Sequence, residues 1–72
     1  MEIDLHGVKH EEVGRMLDTF IWEHMKKKSS SIRVVTGNSP EMKRIVHEIV
    51  NEYGFVATEG LGNSASLVVD LI

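Results

Sequence analysis

Near the start of the chain, Asp4 and His6 place a carboxylate and an imidazole two residues apart. In an extended backbone, positions i and i+2 face the same side. An imidazole changes charge near pH ~6.5, so it gives and takes protons at neutral pH. A carboxylate beside it can orient the ring or recruit a divalent ion, Mg²⁺ or Mn²⁺. A plainer reading pairs Asp4 with Arg33 and has His6 bond the backbone of its own turn.

A second group is Thr36-Gly37-Asn38-Ser39, directly before Pro40. A loop entering a helix N-terminus presents unpaired amides and the positive end of the dipole, which together attract anions. Gly37 lets the backbone come close to a ligand. Asn38 and Ser39 add hydrogen-bonding side chains. Lys43 and Arg44 follow one turn in, where a cation disfavours the helix by a few tenths of a kcal/mol and a bound phosphate reverses that sign. Either they serve a phosphate or they are simply solvated.

The other histidines carry less. His10 reads as a helix start, His24 as a satisfied side chain on an apolar stripe, and His47 as a solvated flank. The spacing 6, 10, 24, 47 matches no metal signature, so no metal site is expected from histidines.

Six elements must position these groups. Residues 2–6 alternate, with Ile3 and Leu5 on one face and Glu2, Asp4 and His6 on the other, which predicts a strand closed by Gly7. Residues 10–27 predict a helix, because Val13, Met16, Leu17, Phe20, Ile21 and His24 fall in one stripe. Lys26, Lys27 and Lys28 suit its C-terminal end. Residues 32–36 are β-branched and predict a strand. Ser39 and Pro40 predict an N-cap and first helical position, and Gly54 a C-terminal glycine, around a stripe of Met42, Ile45, Val46, Ile49, Val50 and Tyr53. Residues 55–59 and 66–72 predict two more strands around a loop at 60–65. The triplet Gly-Asn-Ser occurs twice, at 37–39 and 62–64, both times in a predicted loop.

The order βαβαββ predicts an α/β two-layer sandwich, a four-stranded mixed sheet with two helices on one face. Right-handed crossovers bring the ends of the first three strands to one edge. The loops at His6-Gly7, residues 36–39 and residues 60–64 then share that edge, where open α/β sheets bind ligands.

Composition limits what such a site can serve. The chain has 72 residues, enough for one domain. With 42% hydrophobic and 26% charged residues it has the balance of a folded chain. Its net charge of −3 excludes a strongly basic DNA-coating protein but not a local cationic patch. No cysteine is present, so neither disulfides nor thiolate zinc sites arise. No run approaches the roughly 20 apolar residues of a membrane span. Glu2 and Asp4 stand where a leader's positive segment would be. The expectation is a cytoplasmic domain that does not contact membranes. Trp22 lies opposite the apolar stripe of the first helix and would be exposed, a candidate contact for a homodimer or another protein.

The residues also carry a family resemblance. Ile3-Asp4-Leu5-His6-Gly7, then Val8 and a helix with Glu11 and Glu12, resembles the Leu-Asp-Leu-His-Gly opening of the small MutS-related (Smr) domain. Residues 32–37 sit where that family has an apolar strand ending in His-Gly-x-Gly. Met42-Lys43 resembles its apolar–basic pair, and residues 62–71 its closing Gly-rich loop and strand, with Asp70 as the acid near the end. The resemblance implies the sandwich just derived, similar to the C-terminal domain of bacterial translation initiation factor three. It also implies binding to DNA or RNA, with nicking or cleavage in several members. Asp4 and His6 would then be catalytic, and Gly7, Thr36, Gly37, Asn38, Ser39, Lys43 and Arg44 would contact the nucleic acid.

The chain departs from the family at its second motif. Thr36-Gly37-Asn38-Ser39 replaces His-Gly-x-Gly, and the loop is one residue shorter before Met42. Thr36 cannot transfer a proton as histidine does, though it can donate a hydrogen bond to phosphate. The expectation is a nucleic-acid-binding endonuclease, with a non-catalytic nucleic-acid or protein-interaction module as the alternative.

Overall fold

Alternating and 3.6-residue patterns become six elements in the computed structural model, which describes residues 1–60 and 62–72. They are β1 (Glu2–Asp4), α1 (His10–Lys26), β2 (Ser31–Val35), α2 (Pro40–Glu52), β3 (Ala57–Gly60) and β4 (Asn63–Asp70). The sheet order is β1-β2-β4-β3. β1 lies parallel to β2, and β4 lies antiparallel to both β2 and β3. β4 therefore fills the space that the β2–α2–β3 crossover leaves open.

Each helix buries the stripe that its sequence marks. Val13, Leu17, Ile21 and His24 of α1 and Met42, Val46 and Val50 of α2 are buried. They form one core with Leu5, Ile32, Val34, Ala57, Leu67 and Val69 from the sheet. The other sheet face carries Glu2, Asp4, Arg33, Thr58 and Asp70, all exposed. Both helices thus lie on one face, and the opposite face is open.

Local chemistry sets the helix ends. The Ser39 hydroxyl accepts the Met42 N–H at 3.1 Å, with Pro40 at the first position. At the far end Gly54 adopts φ +83°, its N–H donates to the Asn51 carbonyl, and the Phe55 N–H donates to the Val50 carbonyl. This is a Schellman closure.

That closure corrects the start of the third strand. Phe55 was expected in the strand, but its amide closes α2 and its ring stacks on Tyr53, centroids 6.2 Å apart. β3 begins only at Ala57. The loop expected at 60–65 is also corrected, because Asn63, Ser64 and Ala65 belong to β4. Gly60 pairs with Asn63, and Val35 with Ser66, so pairing partners override weak strand propensity. Leu61, within that predicted loop, lies outside the described residues.

Candidate nucleic-acid interface

The carboxyl ends of β1 and β2 and the start of β4 meet at one edge. After β1, one carboxylate oxygen of Asp4 accepts the His6 N–H at 2.9 Å, and Gly7 turns the chain at φ +81°. Asp4 therefore positions His6 through its backbone, not by pairing with Arg33. His6 is exposed. Its ring lies against the turn after β2, because a Cβ built on Gly37 would stand 2.7 Å from His6 Cδ2. Gly37 also holds φ +69°. It is required there twice, for backbone conformation and for contact with the imidazole.

This close fit predicts the outcome of Gly37→Ala. A left-handed alanine costs on the order of 1–2 kcal/mol, and its methyl pushes the His6 ring aside. The melting temperature should fall by about 4–8 °C per kcal/mol, with the His6 ring resonances displaced in NMR spectra. Unchanged His6 resonances would show that the ring does not pack on this turn.

The β2 turn is clamped from β4. The Thr36 and Gly37 amides donate to the Ala65 carbonyl at 2.9 and 3.0 Å. The Ser64 hydroxyl donates to Asn38 Oδ1 at 3.2 Å. The two Gly-Asn-Ser triplets thus face each other, and Ser64 joins the site although the sequence reading had not selected it. The only sequence signal for it was the repeated triplet.

Thr36 is 2% exposed, and its hydroxyl proton goes to the Gly37 carbonyl at 2.8 Å. It shapes the turn from below instead of facing the edge. The amides of Asn38, Ser39 and Glu41 have no acceptor among the described residues. These amides are the turn's capacity for an anion.

The two expected cations each have a carboxylate neighbour. Lys43 Nζ lies 3.4 Å from Glu59. Arg44 lies between Glu41 and Glu48, at 2.6 Å from the latter. The Arg44 guanidinium holds the Glu41 carboxyl below the usual carboxylate range, assisted by His10 at the start of α1. The Arg44 pairs are exposed on both sides, and solvent screens such contacts.

The remaining histidines stand apart from this edge or at its margin. His24 is buried, with Nδ1 3.1 Å from the Ser29 hydroxyl and its ring centroid 4.4 Å from that of Phe20. His47 is half-buried on α2. Among the described residues no three histidine, aspartate or glutamate side chains gather as a metal site. Trp22 is 55% exposed on α1. No helix among the described residues is long and apolar enough to cross a membrane.

The βαβαββ sandwich is the architecture of a known domain class. The Smr domain family model matches residues 3–71, and the chain belongs to that family. Its fold is similar to that of the Smr domain of Thermus thermophilus MutS2, with a TM-score of 0.81 and 21% identity. The alignment covers 99% of this chain and 96% of that one. No curated protein matches the chain significantly.

Proposed function

We propose that this Smr domain binds DNA or RNA at the His6–Gly37 edge and cleaves a phosphodiester bond there. The observation that carries the reading is the contact of the His6 ring with the Gly37 turn. It supports the reading because a proton-transfer group then stands beside the turn that carries the unpaired amides. The amides of Asn38, Ser39 and Glu41 meet the phosphoryl oxygens, where charge grows in the transition state. Lys43 turns from Glu59 to the same phosphate, and Arg44 to a flanking one. His6 takes a proton from the attacking water as the P–O bond breaks, and solvent protonates the leaving oxygen. Asp4 keeps His6 at the edge through the backbone bond.

The buried Thr36 favours a second reading, a module that binds without cutting, because it leaves the edge with one imidazole from these two motifs. Incubation with supercoiled plasmid and with structured RNA separates the two. Nicked plasmid or shortened RNA supports the nuclease. Binding without cleavage supports the module. Binding in either case should weaken with salt, log K falling by about 0.7–0.9 per phosphate contact for each unit of log salt. Salt-insensitive binding, or none, would remove both readings.

A further inference from the structure

The sequence contains eight lysines and arginines, and the fold treats its three arginines differently. Arg15 pairs with Glu12, and Arg44 with Glu41 and Glu48. Arg33 has no carboxylate within 4.0 Å among the described residues, although Glu2 stands opposite it in register on the same open face. Its Nη1 donates to the Ser66 hydroxyl at 3.1 Å. Ser66 is 1% exposed and pairs with Val35, two strand rows nearer the loop edge than the Arg33–Val68 row. Beyond it, a Cβ on Gly60 would come within 3.3 Å of Ser66 Oγ and 3.4 Å of Arg33 Nη1. The absence of a side chain at Gly60 leaves the guanidinium room to reach across β4 toward the edge.

We propose that Arg33 is a further phosphate-binding residue, placing the nucleic acid along the open sheet face next to the His6–Gly37 edge. The inference rests on the reading of that edge as a nucleic-acid site. Ser66 fixes the guanidinium without neutralising it, since a hydroxyl carries no charge. The other N–H groups of the fork are left for a bidentate contact with phosphate oxygens. A side chain already held in place loses less conformational freedom on binding. Arg15 and Arg44 both lie beside carboxylates, so among the described residues Arg33 is the arginine that a polyanion meets without displacing one.

Arg33→Met tests the proposal, because methionine keeps an apolar stem over the sheet and removes the charge. Affinity for a fluorescein-labelled single-stranded DNA, and for an RNA of the same sequence, is measured by anisotropy across a salt series. Loss of a charged hydrogen-bonded contact should weaken binding about tenfold or more at low salt. It should also make the salt slope shallower by about 0.7–0.9. Ser66→Ala frees the guanidinium but keeps its charge, so binding should weaken a few-fold with the slope unchanged. Thermal melts of both variants check that the fold persists. Wild-type affinity and slope in folded Arg33→Met would overturn the role of Arg33 and leave the edge site standing. A wild-type protein that binds neither these oligonucleotides nor the plasmid and structured RNA would overturn both.

Discussion

His6→Ala should slow cleavage by about a hundredfold or more while affinity for the same substrate stays within a few-fold. General acid–base catalysis by one side chain contributes roughly 10²–10⁴ in rate. His6 is exposed, so its imidazole contributes little to the core. The Asp4 carboxylate accepts from the His6 backbone N–H, a bond that alanine retains. The turn should therefore survive, and proton transfer alone should be lost. Single-turnover cleavage rates and anisotropy at matched salt measure the two effects separately. Equal rates in wild type and variant would remove His6 from the mechanism. A parallel loss of affinity would instead assign the imidazole to phosphate binding.

Leu17→Ala should bring the whole domain close to unfolding. Leu17 is fully buried in the single core between α1, α2 and the sheet. A buried leucine truncated to alanine costs about 2–5 kcal/mol. A domain of this size has a total stability of roughly 4–11 kcal/mol. At about 4–8 °C per kcal/mol, the melting temperature should drop by roughly 10–40 °C. Trp22→Ala is the informative comparison. Trp22 is the larger side chain, but it is more than half exposed, so its loss should cost about 1 kcal/mol or less. A smaller effect at Leu17 than at Trp22 would mean that the core does not lie on this stripe of α1.

Helix boundaries and faces were legible because they depend on neighbours along the chain. Ser39-Pro40 sets the start of α2 and Gly54 its end through hydrogen bonds spanning three to five residues. The two stripes, one containing Leu17 and the other Val46, each need only a 3.6-residue period and a core to face. The His6-Gly7 turn was legible for the same reason. The shared loop edge followed from chain direction, given right-handed crossovers.

What the sequence by itself determined was therefore the set of elements, their buried faces, and the meeting of the His6 and Gly37 turns. Tertiary structure decided the rest. It placed β4 between β2 and β3, drew residues 63–65 into a strand, and set Ser64 against Asn38. It gave Lys43 and Arg44 carboxylate neighbours, turned the Thr36 hydroxyl inward, and left Arg33 on Ser66 instead of Asp4. The reason is physical: a cap or an amphipathic stripe is settled within one or two turns of chain. By contrast, the Lys43–Glu59, Asn38–Ser64 and Arg33–Ser66 contacts join residues 16 to 33 positions apart, and strand order decides which of them meet.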